Sequence, residues 1–194
     1  MSTIIDNTAV DRQLASRIRA ERVGRGWTLA DLAARSGVSR AMLSRIEREE
    51  ASPTATLLGR LAAAFGLTLS QLFVGVGAGN DGRLRRRDDQ PVWHDPDSGL
   101  VRRSLSPPGM APMELVWIEF PPGARVDYEA SSYEVIFDQQ IVVISGALTL
   151  ASAEQRHVLE AGDCFRFGPP RATTFMNEGT VPCRYLVAVL RRGP

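Results

Sequence analysis

Twenty residues, Thr28 to Glu47 (TLADLAARSGVSRAMLSRIE), constrain the fold more than any other stretch. They read as two short helices joined by a tight turn. Thr28 and Asp31, three apart, form a capping box: the hydroxyl accepts from an orphan N–H, and the carboxylate sits at the positive helix end. Leu29, Leu32 and Ala33 recur at helical spacing and give an apolar face. Gly37 ends this helix, where a positive φ is usually needed, and Val38 plugs the turn. Ser39 caps a second helix, whose inward positions include Met42, Leu43 and Ile46. Its outward side carries Ser39, Arg40, Ala41, Ser44 and Arg45. A short helix with one buried face, and small residues plus arginines on the other, suits the major groove of DNA.

The charge distribution points the same way. The net charge of +1 says nothing about nucleic acid. Residues 1–73, however, carry ten Arg against seven acids, and residues 91–194 carry nine against twelve. A basic front and a mildly acidic rear fit DNA binding by the front alone. Every one of the 23 basic residues is Arg, the better bidentate partner for phosphate and guanine. With 44% hydrophobic and 23% charged residues, the chain has the composition of a folded globular protein, not a disordered one. No apolar run is long enough to span a membrane, and no basic-then-apolar leader opens the chain, so the cytoplasm is the expected compartment. A disulfide between the two cysteines, Cys164 and Cys183, is disfavoured there. Both lie in apolar, strand-like stretches and are expected to be buried.

Along the chain, Asp11 is placed to cap a first helix, with Leu14, Ile18 and Val23 inward. Gly24 and Gly26 end it, and Trp27 is expected in the small core. Thr54, after Pro53, caps a fourth helix with the stripe Leu57, Leu58, Leu61, Ala62 and Phe65, closed by Gly66. Residues 70–73 make a last helical turn. Gly75 to Gly82 (GVGAGNDG) has the composition of a flexible linker. The basic cluster Arg83–Arg87 beside it suits either simple solvation or a second phosphate contact. The expected units are therefore a helical domain over 11–74, a linker over 75–90 and a third region over 91–194. In that region 115–120, 140–145, 147–150, 164–167 and 185–190 are short apolar or alternating runs bounded by Gly, Pro or acid–Gly signals. Many short strands at this spacing argue for an all-β barrel or sandwich.

L-A-x-x-x-G-V-S-x-x-x-L-S-x-I-E, as it stands from Leu32 to Glu47, resembles the helix-turn-helix core of XRE-type regulators, relatives of the phage λ and 434 repressors and Cro. The match runs from about Leu14 to Phe73. Many members have Gln after the capping Thr; Leu29 stands there, as in the subgroup with a cupin domain behind the helix-turn-helix. The resemblance implies five helices, double-stranded DNA as partner, and DNA contacts from Thr28, Ser39, Arg40, Ala41, Met42, Ser44, Arg45 and Arg48. It also implies a homodimeric repressor on a palindromic operator.

The rear half, through PPGARVDYE, SGALTL, LEAGDCFRF and TTFMNEG, resembles a cupin, a small jelly-roll barrel. The turn residues Gly123, Gly146, Gly162 and Asp163 fit. The family's metal ligands do not. Anchored on Gly146, the glutamate position holds Gln139, and the histidine positions hold Ser132 and Glu134, or Tyr133 and Val135. Glu129 and Ser131 are further candidates, because the loop after Gly123 is long. Anchored on Gly162, the last histidine position holds Thr173, and Asn177 is kept. His94 and His157, the two histidines, fall elsewhere. No metal, cofactor or catalysis is expected. The barrel interior is instead expected to hold a small effector between Glu129 or Glu134, Gln139, Thr173 and Phe175, with Trp117, Arg166 and Tyr185 as further candidates. An acidic wall favours a ligand with an amino group. The whole reads as an α+β chain: an all-α helix-turn-helix domain followed by an all-β cupin. The competing readings are a cupin enzyme with an appended DNA-binding module, and a cupin that serves only to dimerise.

Overall fold

A computed structural model describes residues 8–73, 83–107 and 112–191. Five helices come first: α1 (Thr8–Gly24), α2 (Leu29–Ser36), α3 (Arg40–Glu47), α4 (Ala55–Phe65) and α5 (Leu69–Leu72). Ten strands follow: β1 (Val92–His94), β2 (Val101–Ser104), β3 (Met113–Phe120), β4 (Arg125–Tyr128), β5 (Ile136–Ser145), β6 (Leu148–Ala151), β7 (Arg156–Leu159), β8 (Cys164–Arg166), β9 (Thr173–Met176) and β10 (Cys183–Arg191).

The helix ends follow their caps. Thr28 accepts from the Asp31 N–H at 3.1 Å, while the Asp31 carboxylate accepts from the Thr28 N–H at 2.8 Å. Those bonds hold the exposed Asp31 carboxyl below its usual pKa. Gly37 closes α2 at φ 67°. Thr54 and Thr68 cap α4 and α5, the latter with Gln71 completing a second capping box. Helix α1 begins at Thr8, three residues before the expected cap; Asp11 instead sits in its first turn and accepts from the Ser52 hydroxyl. Val23, expected inward, is exposed, because the buried face of α1 runs through Leu14, Ala15 and Ile18 and Val23 falls on the opposite side of the helix. Leu14, Ile18, Leu32, Leu43, Ile46, Leu58 and Leu61 are essentially fully buried. Each such side chain is worth about 1.5–3 kcal/mol on burial. Trp27 stacks on Phe65 and lies under the Arg35 guanidinium, 4.4 Å from the ring centre. A two-pronged ion pair, Arg22 to Glu47 with both contacts at 2.7 Å, ties α1 to α3.

The strands form two antiparallel sheets, ordered β1-β2-β3-β10-β5-β8 and β4-β9-β6-β7. Their inner faces share one core, through Phe120, Ile141, Val143, Leu148, Leu150, Phe175 and Tyr185. This is the expected cupin arrangement, as a two-sheet sandwich and not a closed barrel. Five strands lie beyond the runs legible in the sequence: β1, β2, β4, β7 and β9. At Gly146 the chain passes so close to Pro182 that a Cβ would lie 2.7 Å from its carbonyl oxygen. Cys183 is buried in β10, and burial pushes its thiol up to about 11. Cys164, expected inside, is exposed, because β8 is the edge strand of its sheet.

The expected linker lies outside the described residues over 75–82. From residue 83 the chain runs along the β domain. Arg85 donates to the Ser106 carbonyl at 3.1 Å, and Arg103 to that of Arg87 at 3.4 Å. Arg85 is thus turned toward the β domain, and part of the basic cluster is structural. Among the described residues no helix is long and apolar enough to cross a membrane.

The helical unit is clamped onto the sandwich. Asp95, 3% exposed just after β1, accepts from the Ala55 N–H at the start of α4 at 3.1 Å. The same carboxylate accepts from the Asp97 and Ser98 N–H groups and the Ser98 hydroxyl. Gly59 lies where α4 crosses the end of β4; a Cβ there would stand 2.9 Å from the Tyr128 ring. Arg60 pairs with Glu129 at 2.9 Å.

Candidate nucleic-acid interface and ligand cavity

Helix α3 presents the outward residues expected of it. Ser39 accepts from the Met42 N–H at 3.2 Å and fixes the start of the helix. Arg40, Ala41 and Arg45 are exposed, and among the described residues neither arginine has an ion-pair partner. Ser44 is half-buried. Met42 packs against the core and lies at the edge of the surface. Arg48 is exposed and paired with Glu50 at 2.8 Å, a contact worth no more than about 1 kcal/mol in water and easily exchanged. Thr28 is also exposed, but both of its polar functions serve its own cap.

A cavity of about 100 Å³ lies between the domains. The sandwich contributes most of its wall, including Trp93, Val116, Ile118, Tyr133, Gln139, Phe175 and Val189. The helical domain supplies the rest: Gly59 and Ala62 of α4, then Thr68, Leu69 and Ser70 around the start of α5. The surface is mainly apolar with few polar groups, the usual make-up of a small-molecule site. Tyr133, Ile136 and Gln139 also wall a neighbouring groove of about 460 Å³, which includes Arg166.

Of the eight pocket candidates, Gln139, Phe175 and Tyr185 meet in this cavity. The other five lie outside it. Glu129 and Glu134 are exposed, because a short 3-10 turn, Ala130–Tyr133, swings Tyr133 inward and both acids outward. Thr173 donates to the Arg171 carbonyl at 3.1 Å and lies beside the Tyr133 phenol. Trp117 points to the outer side of β3, where residues 114, 116, 118 and 120 are buried and 117 is not. Arg166 is exposed and paired with Asp138 at 3.0 Å. Asn177 is buried as a corner brace, donating to the carbonyls of Phe120 and Val181 and accepting from the Gly179 N–H.

Sequence reasoning missed the cavity's one cation. Arg102, on β2, is 4% exposed. It donates to the Ser104 and Ser70 hydroxyls and lies over the Phe73 ring at 4.5 Å. Burial lowers its pKa to about 10. The signal available was the alternation V-R-R-S beside Leu100, which places one arginine of the pair inward. Burial raises the Tyr128, Tyr133 and Tyr185 phenols, so these stay neutral. Among the described residues no three His, Cys, Asp or Glu side chains are placed to share a metal ion. The cavity's own polar set of guanidinium, amide, phenol and hydroxyl groups does not fit the imidazole–carboxylate ligation a cupin metal needs.

A five-helix unit with its third helix exposed, joined to a two-sheet sandwich, is the architecture of a two-domain DNA-binding protein. Comparison with known proteins agrees on both domains. A helix-turn-helix family model matches residues 18–72, and a cupin domain model matches residues 116–189. The HTH-type transcriptional regulator SutR of Escherichia coli K12 is 30% identical over 171 residues, 87% of this chain and 89% of that protein. The solved HTH_3 family transcriptional regulator from Vibrio cholerae superposes with a TM-score of 0.76 at 23% identity, over 97% of this chain and all of that one, and so shares its fold. The chain belongs to the HTH-type transcriptional regulators, in a form that carries a cupin domain behind its DNA-binding unit.

Proposed function

We propose that this regulator is a sensor whose cupin binds a small effector and passes the binding state directly to the helix-turn-helix. The observation that carries this is the shared wall of the cavity. A molecule inside touches α4 and α5 as well as the sandwich. Binding can alter DNA affinity only if two arrangements of the protein bind the effector unequally, and a pocket whose shape depends on domain docking meets that condition. In this reading the cupin performs no catalysis, since its inward polar groups are suited to holding a ligand.

Arg40 and Arg45 of α3 make the base contacts, while Ser39, Ser44 and Arg48 position the helix on phosphates, and Thr28 acts through the cap it holds on α2. The protein acts as a homodimeric repressor on a palindromic site. The outer face of the six-stranded sheet supports the dimer. Leu115 and Trp117 of β3, Val142 and Ile144 of β5, and Leu186 and Ala188 of β10 form a contiguous apolar patch, with Leu186 paired to both Trp117 and Val142. None of the six is buried. An apolar face of this kind on a monomer marks an interaction surface.

The experiment has two stages. Selection from a random duplex pool with the full chain should enrich two half-sites about one helical turn apart, or a multiple of that. A metabolite panel should then shift operator affinity for the parent and not for Ala62→Leu, which fills the cavity from α4. A full response in the variant would remove the cavity from the mechanism.

A further inference from the structure

Arg102 is a buried cation without an acid of its own. Among the described residues no carboxylate lies within ion-pair distance of it. The two nearby buried acids are committed elsewhere. Glu114 accepts from the Thr68 hydroxyl at 3.0 Å and pairs with Arg191 at 3.3 Å. Asp95 collects four donors, one at the start of α4 and three in its own loop. Arg102 itself spends two of its donors on serine hydroxyls, which are neutral acceptors. A guanidinium carries five N–H donors in a rigid fork that matches a carboxylate.

Three further N–H or O–H groups at the same cavity lack protein partners. The Trp93 indole nitrogen, the Ser132 hydroxyl and the Tyr133 phenol are buried with no hydrogen-bond partner, and all three residues line the cavity. Native proteins rarely leave buried polar atoms unpaired, so such atoms mark where another group belongs. An indole N–H can only donate, and so can a guanidinium. The site therefore calls for acceptors. Much of the remaining wall, from Leu69, Leu100, Val116, Ile118, Val187 and Val189, is apolar, with the Gln139 amide among its few other polar groups.

We infer that the inter-domain cavity binds a small organic monocarboxylate, its carboxylate held by Arg102 and its apolar remainder received by the valine and isoleucine side chains around it. The inference rests on the reading of this cavity as the effector site and names the ligand class. A single guanidinium matches a single negative charge; a dianion would leave one charge uncompensated in a low-dielectric site. The size is also limited. An engineered apolar cavity of roughly 150 Å³ holds benzene, and this one measures about 100 Å³. A carboxylate on a short alkyl chain is the upper bound without movement of the walls, and a ring needs them to give. The same guanidinium touches Ser70 of α5 and Phe73 just beyond it. A bound carboxylate competes with Ser70 for Arg102 and so acts where the helical domain is held.

Butyrate, isovalerate, hexanoate and benzoate, with their primary amides and the matching amines, are titrated against the full-length protein by calorimetry and thermal shift. At least one acid should bind and raise the melting temperature, with its amide at least roughly tenfold weaker, the difference expected when a charge-assisted bidentate contact is lost. Arg102→Gln should lose at least the same factor, and Arg102→Lys should recover part of it. Amides or amines binding as tightly as acids overturn the carboxylate inference while leaving the cavity as an effector site. Unchanged acid binding in folded Arg102→Gln overturns it too. Where Arg102→Gln does not fold, the acid-to-amide ratio in the parent decides. If no compound of the three classes binds, this inference falls, and the operator screen with Ala62→Leu separately decides the effector reading.

Discussion

Asp95→Ala is the sharpest test of how the two domains are held. The carboxylate is buried, and it supplies the acceptor for the Ala55 N–H, itself only 1% exposed. Removing it leaves a helix-start donor with no partner in a site water does not reach. A lost hydrogen bond to a charged group costs about 1.5–3 kcal/mol. Loss of an anion at a helix N-terminus adds about 0.3–1 kcal/mol. The total is about 2–4 kcal/mol before the loop bonds to Asp97 and Ser98 are counted. With a urea m-value of about 2 kcal/mol/M, the midpoint should fall by about 1–2 M. Helical circular dichroism and tryptophan fluorescence should unfold together in the parent and separate in the variant, since the clamp is what makes the domains cooperative. Asp95→Asn keeps an acceptor oxygen and loses the charge, so it should fall between the two. A midpoint within about 0.2 M of the parent, with both probes still coincident, would refute the clamp.

Four further outcomes follow from particular contacts. Arg22→Met strands Glu47, 8% exposed in its side chain, and should cost about 3–5 kcal/mol, read as a lowered melting temperature. Arg40→Ala should relax base preference on the selected operator at a cost of about 1–3 kcal/mol, whereas neutralising Arg86 and Arg87 should weaken binding to all sequences and flatten its salt dependence. Sedimentation of the full chain at micromolar concentration should show a dimer, and Trp117→Asp on the outer sheet face should give a monomer. Burial lowers the pKa of His94, partly opposed by Glu119. Below about pH 6.5 the unfolded chain therefore takes up a proton that the folded chain refuses. Stability should decline as pH drops from there toward the depressed folded value, and His94→Gln should flatten that limb.

What the sequence revealed is mostly what is local. Thr28 with Asp31, Gly37, Ser39 and Thr54 are caps whose partners lie within four residues, so their pattern survives without knowledge of the fold. The alternation in Leu115–Phe120 and Tyr185–Leu190 likewise marks strands by itself. Short strands do not: β1 and β2 have three and four residues, and β2 carries two arginines, so periodicity has little to act on. Arg102 was hidden for that reason, since its inward place depends on the pairing Arg102 to Ile118. Glu134 was placed by spacing from Gly146 and Glu129 by the long loop after Gly123, and the 3-10 turn between them turns both acids outward. Cys164 has an apolar neighbourhood in sequence, yet its exposure depends on β8 being the edge strand among the described residues. The cavity is the least local feature of all. Its wall needs α4 and α5 to dock on β strands far along the chain.

Operator affinity of the full chain, measured with and without a saturating concentration of the cavity ligand, tests the central claim most directly. Coupling of about 1–3 kcal/mol corresponds to a change of about 5–150-fold in the dissociation constant. The account predicts a change in that range, abolished by Ala62→Leu. An unchanged dissociation constant while the ligand fully occupies the cavity would contradict it.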